Sequence, residues 1–350
     1  MKNSLIRARY RYRYWSAAMP LALFGIVAGA QTQTTLYGRI DVGLYTQSRS
    51  NPDSRQTALS SDTSYFGFRG QEDLGGGLGA IFKMEAQFDA SAGTASGGFN
   101  RESYVGLVHK QYGTLLMGSM WGPSVWVSGK SDAFGRAQLG AVQTFLQGSA
   151  NRGNAFKFDN SMQYITPNVG GLLGRVYVRA SEGAETDSNH ALALEYTSGR
   201  AFVGLAYDNA QIAGSTVGLA STPVVRSETL GLGASYDLGF MRLYGYYQRN
   251  RVPSLGLASS VNASASIPVG AGEVRLAAGR WNRPNEASAQ RVALGYVHFL
   301  SKRTQVYTSL ARLKNDQNSS AMLFPISQDS PPAGRGQDIS AVGIGIRHMF

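Results

Sequence analysis

Apolar and polar positions alternate with period two along most of the chain, in short segments separated by glycine-rich or polar turns. The last ten residues show it most clearly. Val342, Ile344, Ile346 and Phe350 point one way, and Ala341, Gly343, Gly345 and Arg347 the other. Near the other end, Leu36, Ile40, Val42 and Leu44 share one face, while Tyr37, Arg39, Asp41 and Tyr45 share the opposite one. Ala80, Phe82, Met84, Ala86 and Phe88 oppose Lys83, Glu85, Gln87 and Asp89. Leu192, Leu194 and Tyr196 oppose Glu195. A period of two with one apolar face marks strands whose sides meet different media. A soluble sandwich shows the same alternation, so the pattern alone leaves both open.

The connections tilt the choice. Short turns recur at Asp73–Gly77, Gln111–Gly113, Thr166–Gly171, Ser198–Arg200, Leu238–Gly239 and Ser301–Arg303. Long polar segments run from Ser48 to Asp62, Gln211 to Pro223 and Lys314 to Gln337. Short on one side and long on the other matches the periplasmic turns and extracellular loops of an outer-membrane barrel. Counting alternating segments gives about 16, an even number within the barrel range. Tyr37, Tyr45, Tyr65, Phe66, Tyr104, Tyr112, Tyr244, Tyr246, Tyr247, Tyr296, Phe299 and Tyr307 cluster at segment ends. Interfacial girdles would use them, though plain β-propensity also favours aromatics.

The first thirty residues are different. Lys2, Arg7, Arg9, Arg11 and Arg13 form a basic stretch, Ala17 to Ala30 is small or apolar, and Ala28-Gly29-Ala30 offers a small-x-small cleavage site. That apolar run is about 14 residues, and a spanning helix needs about 20. Residues 1–30 are therefore read as a signal peptide and 31–350 as the barrel domain. Nothing else approaches a helical span. There is no cysteine, and a closed barrel needs no staple because its backbone is satisfied internally. The formal net charge of +11 falls to +6 without the five basic residues of the signal. No zinc spacing or basic helix supports a nucleic-acid partner. Basic residues spread singly along strands suit a lined channel.

Catalytic patterns are weak. His109, His190, His298 and His348 lie far apart, and there is no Gly-x-Ser-x-Gly elbow. Gly75-Gly76-Gly77 lacks the following Lys-Ser or Lys-Thr of a phosphate loop. Glu72-Asp73 falls short of the six to eight oxygens of a calcium cage. No enzyme activity, metal or cofactor is expected. An outer-membrane barrel hydrolase and an adhesin-like barrel are the alternative readings.

The residues then match a family. Thr35-Leu-Tyr-Gly-Arg-Ile-Asp-Val-Gly43, Phe66 to Glu85, Phe99-Asn-Arg-Glu-Ser-Tyr-Val-Gly-Leu107, Asp159-Asn-Ser-Met-Gln-Tyr164, Leu300-Ser-Lys-Arg-Thr304 and Gly345 to Phe350 occur in order. With these pieces the chain resembles the general porins of Gram-negative bacteria, in the branch typical of Neisseria and Burkholderia. The resemblance implies a 16-stranded antiparallel transmembrane β-barrel in the outer-membrane lipid, usually a homotrimer, through which small hydrophilic solutes and ions diffuse passively. It also implies that the third long loop, roughly Trp121 to Ala155, folds into the lumen, facing basic side chains on the wall. Arg101 and Lys157 match basic positions of that constriction. Tyr65 and Ser119 stand where the family often has arginine. The loop itself is atypical, with Trp121-Gly-Pro-Ser-Val-Trp126 and little charge from Ala137 to Ala150. The expected anion preference is weak to moderate.

Arg or Lys facing lipid at the midplane costs about 2–4 kcal/mol. Parity therefore turns Arg39, Asp41, Arg69, Lys83, Glu85, Arg175, Arg179 and Glu195 inward. Arg101 has ambiguous parity, because Val105 and Leu107 share its side unless a bulge intervenes. From the loop, Lys130, Asp132, Arg136 and Arg152 are candidates to reach the lumen, where fixed charge sets the sign of the permeant ion.

Overall fold

The computed structural model describes residues 33–50, 52–95, 97–146, 155–179, 189–213, 224–253, 255–284, 286–326 and 330–350. The expected signal peptide and Arg152 lie outside them. The strands form one antiparallel meander: β1 (Gln33–Arg49), β2 (Ser54–Ser61), β3 (Tyr65–Gly75), β4 (Leu78–Asp89), β5 (Thr94–Ala95), β6 (Ser103–His109), β7 (Gly113–Trp121), β8 (Lys157–Ile165) and β9 (Leu172–Arg179). It continues as β10 (His190–Ser198), β11 (Ala201–Ala213), β12 (Val224–Asp237), β13 (Arg242–Val252), β14 (Gly256–Val269), β15 (Gly272–Arg283), β16 (Ala287–Phe299), β17 (Thr304–Asn315) and β18 (Ile339–Met349).

The last strand returns to the first. β18 pairs with β1 from Met349 opposite Arg39 to Ile339 opposite Arg49, so the sheet closes on itself and has no free edge among the described strands. β2 and β3 both pair with β1 and are one wall strand broken at Asp62–Ser64. β5 is a two-residue piece of a connection. The wall thus has 16 strands. The closing seam carries its own polar lock on the inner face: Arg347 Nε donates to Asp41 Oδ2 at 2.5 Å, and the Tyr307 hydroxyl to Asp41 Oδ1 at 2.8 Å.

The alternation seen in the sequence becomes two surfaces. Leu36, Ile40, Leu44, Leu192, Leu194, Val342, Ile344 and Ile346 are exposed on the outer face, which meets lipid. Asp41, Tyr45, Glu85 and Glu195 are buried on the inner one. The aromatic girdle differs from expectation. Tyr45, Tyr246 and Tyr307 are buried on the inner face. The outward rings at the short-turn rim include the expected Tyr112 and Phe299, joined by Tyr164, Tyr196, Tyr236 and Phe240, and the Tyr164 hydroxyl donates to the Tyr112 carbonyl at 2.7 Å. Ser48 to Asp62 is also not a long loop. Its alternating polar residues extend the wall as β2, joined to β1 across residues 50–53.

Two long connections cover the inner face. Between β7 and β8 lie α1 (Pro123–Lys130) and the short α2 (Gln143–Leu146). Pro123 opens α1, where its missing N–H is not needed, and Lys130 sits in the last turn, where the helix dipole favours a cation. Phe134 follows, fully buried, and a Cβ on inner-wall Gly295 would lie 2.8 Å from its ring. Only glycine permits that approach. The connection between β17 and β18 adds Ala321, Met322, Leu323 and Ile326, which join Phe134, Leu139 and Phe145 in one apolar cluster with wall residues Ala258, Ala277, Ala293, Ala311 and Leu313. Polar staples fix the assembly. Gln138 N–H donates to Asp62 Oδ2 at 2.6 Å, Ala133 N–H to Ser264 Oγ at 3.1 Å, and Phe324 N–H to Thr144 Oγ1 at 3.3 Å. Arg291 donates to the Ala141 carbonyl.

Candidate functional site

The break in the wall strand and the start of β6 together shape the site. At Asp62–Ser64 the chain leaves the ladder, with Thr63 in a left-handed conformation (φ 58°). Its carbonyl then faces inward and accepts from Arg39 Nε at 3.2 Å and Nη2 at 3.0 Å. Across β4, two consecutive residues meet one. Glu85 N–H donates to the Glu102 carbonyl at 2.7 Å, and Arg101 N–H to the Glu85 carbonyl at 3.1 Å. This two-against-one arrangement is a bulge, which resolves the ambiguous parity of Arg101. Both Arg101 and Glu102 turn inward beside Glu85.

Ion pairs run through the cluster. Lys83 Nζ lies 2.8 Å from Glu85 and 2.5 Å from Glu102, and Arg101 Nε 3.2 Å from Glu85. The Tyr37 hydroxyl donates to Glu85 at 2.8 Å. On the neighbouring wall Glu195 takes Arg175 at 2.7 Å and Lys130 of α1 at 2.5 Å. Rings hold several guanidinium groups face-on. Arg101 lies 4.3 Å from the Tyr65 centroid and 4.9 Å from that of Trp121, and Arg175 lies 4.9 Å from that of Trp126. Such contacts contribute about 0.5–2 kcal/mol each, more when desolvated.

Between this wall and the α1 connection is a cavity of about 530 Å³. Five cations line it, Arg39, Lys83, Arg101, Lys130 and Arg136, against two carboxylates, Glu85 and Glu102. Tyr65, Trp121, Trp126 and Phe324 supply its apolar surface. Arg136 is the most enclosed of the cations. Burial pulls its pKa down to about 10, with Tyr246 and Asp132 acting the other way, so it stays charged at neutral pH.

Six of the residues expected from the sequence thus meet in one place: Arg39, Lys83, Glu85, Arg101, Lys130 and Arg136. Three lie elsewhere. Arg69 is exposed towards the short-turn rim, 4.8 Å over the Tyr37 ring. Lys157 donates to the Asn100 carbonyl at 3.0 Å and pairs with Asp159 at 3.1 Å. Asp132 is buried, and its carboxylate accepts from the N–H groups of Phe134, Arg136 and Val142 at 3.0–3.1 Å, which folds the connection on itself. Sequence reasoning missed Glu102, Asp62 and Phe324. The adjacency of Glu102 to Arg101 implied opposite faces, and only the bulge joins them.

A closed 16-strand wall, apolar outside and enclosing a polar cavity whose charged lining residues are mostly cations, defines a channel-forming outer-membrane protein. The family model for Gram-negative porins matches residues 16–318. Outer membrane porin protein 32 of Delftia acidovorans is 33% identical, with 100% of both chains covered. An outer membrane porin protein of Bordetella pertussis is 27% identical, covering 95% of this chain and 98% of that one. Among solved structures, the anion-selective porin from Comamonas acidovorans superposes with a TM-score of 0.78 at 28% identity, covering 91% of this chain and 100% of that one. The chain belongs to the Gram-negative porin family, and its place is the outer membrane.

Proposed function

We propose that the protein is a passive diffusion channel for small hydrophilic solutes and ions, with weak to moderate anion preference, narrowed by the connection that carries α1. The observation that carries this reading is the cavity lining: five cations against two carboxylates. Rings of fixed charge at a constriction set the sign of the permeant ion. The α1 connection supports the narrowing, because its apolar side packs on the inner wall and its cationic side, Lys130 and Arg136, faces the cavity. The similarity to a porin described as anion-selective points the same way. The test is the zero-current potential of single channels in a salt gradient. The wild type is expected to reverse with anion sign, and Arg101→Glu to move the potential towards cations. A potential indifferent to Arg101→Glu would remove that residue from the selective site; cation sign in the wild type would sink the charge assignment.

The same reading includes two additions: removal of residues 1–30 as a secretion signal, read from their basic start, short apolar run and small-x-small site, and assembly as a homotrimer, which the family resemblance implies. The N-terminal residue of the protein from outer membranes, expected near Gln31, and the mass of the unheated detergent particle test them.

A further inference from the structure

We propose that Tyr65 and Trp121 are positioning residues for ion selection, holding the Arg101 guanidinium in the solute path by their ring faces and so keeping its charge available to passing anions. The inference rests on the anion-preferring reading above and says how that preference is produced.

A cation can be fixed in a lumen in two ways. A carboxylate fixes it and cancels its charge; a ring face fixes it and adds no net charge. Lys83 is held the first way, between Glu85 and Glu102. Arg101 is held both ways, by two ring faces and by an ion pair with Glu85. Its guanidinium carbon lies 4.3 Å from the Tyr65 centroid and 4.9 Å from that of Trp121. Its carboxylate contact, 3.2 Å to Glu85, is the longer one that Glu85 makes, since Glu85 also takes Lys83 and the Tyr37 hydroxyl at 2.8 Å each. Tyr65 serves a second guanidinium, that of Arg39 at 5.5 Å, which is hydrogen-bonded to Thr63 and attracted by Asp62 and Asp41 without a direct ion pair among the described residues. Tyr65 meets Tyr37 edge-on, 6.4 Å between centroids at 74°, and Tyr37 carries Arg69 at 4.8 Å. Arginines and rings therefore form one continuous stack down this wall, from Trp121 to Arg69. Without the Tyr65 face, Arg101 is free to close further on Glu85, which it already meets at 3.2 Å, and to turn to Glu102, so that more of its charge is cancelled locally.

The experiment uses the full-length protein purified from outer membranes, with folding verified by heat-dependent gel mobility, in planar bilayers under a salt gradient. Tyr65→Leu is expected to lower the anion-to-cation permeability ratio by about twofold, while Tyr65→Phe, which keeps the ring face, stays at the wild-type value. Trp121→Leu, the second variant should Tyr65→Leu not fold, is expected to act in the same direction. It is expected to have no further effect in an Arg101→Gln background, because the ring then has nothing to hold. An anion-preferring wild type whose ratio is unchanged in both leucine variants would overturn the inference, leaving the rings as packing. A wild-type channel without anion preference would overturn the underlying reading instead, so the two failures are told apart.

Discussion

The inner wall has two halves built on opposite rules. On β1, β4, β9 and β10 the inward positions carry large polar side chains: Tyr37, Arg39, Asp41, Lys83, Glu85, Arg175 and Glu195. On β14 to β17 they are mostly small: Ala258, Ala277, Ala289, Ala293 and Ala311. The small half is not open space. Phe134, Leu139 and Phe145 from one connection, and Ala321 to Leu323 and Ile326 from another, fill it as an apolar mass. The large half is lined by charge and left to the cavity. Small wall residues thus mark where the chain folds in, with Arg291 the charged exception that ties the connection to the wall, and the other bulky charged positions mark where solute passes. The closed wall satisfies the backbone, so each half is free to be specialised by side chains alone.

The comparison breaks most severely at Phe134. It is fully buried, and Phe→Ala in a packed core costs about 3–5 kcal/mol. The wall ladders do not touch that energy. Phe134→Ala is expected to loosen the α1 connection and raise single-channel conductance with larger current noise, while the sign of the reversal potential stays the same. Heat-dependent gel mobility is expected to be unchanged, since the strand pairing is intact. A conductance equal to wild type would mean that the apolar mass does not limit the path.

Much of this architecture was legible in the sequence, and the failures have physical reasons. Period-two alternation assigned faces correctly wherever a strand is regular, so Arg39, Lys83, Glu85, Arg175 and Glu195 were placed inward by parity alone. It lost its power at irregularities. Arg101 needed the bulge opposite Glu85, and Asp62 needed the break between β2 and β3 that aims its carboxylate at the Gln138 N–H. Parity puts Tyr45 on the inward face with Arg39 and Asp41, but it does not say what the ring meets there. Tyr45 and Tyr307 come from strands far apart in the chain, yet their hydroxyls meet at 3.4 Å across the β1–β18 seam. The segment from Lys314 to Gln337 read as a polar loop because its flanks are polar. The apolar run Ala321-Met-Leu-Phe-Pro-Ile326 inside it was the available signal, and all six residues are buried, Ala321, Met322, Leu323 and Ile326 in the apolar cluster and Phe324 beside the cavity.

Lys83, in the charged half, carries the smallest expected effect on conductance. Lys83 is a partly exposed lumen cation flanked by two carboxylates, so the three groups together carry one negative charge. Glu85 and Glu102 are buried, so Lys83→Gln leaves their charge only partly compensated and is expected to cost stability, up to about 3–5 kcal/mol, with heat-dependent gel mobility checking that the barrel still folds. The substitution leaves Glu85 and Glu102 without their ammonium, although Arg101 still reaches Glu85. The permeability ratio is therefore expected to move towards cations by roughly the factor that one fixed charge contributes at the constriction, with conductance steps nearly unchanged. This is the reverse of the Phe134→Ala result, where conductance changes and sign does not. A Lys83→Gln channel that changed conductance but not ion preference would show that the two halves are not separable, because the charged wall would then be setting the bore rather than the charge.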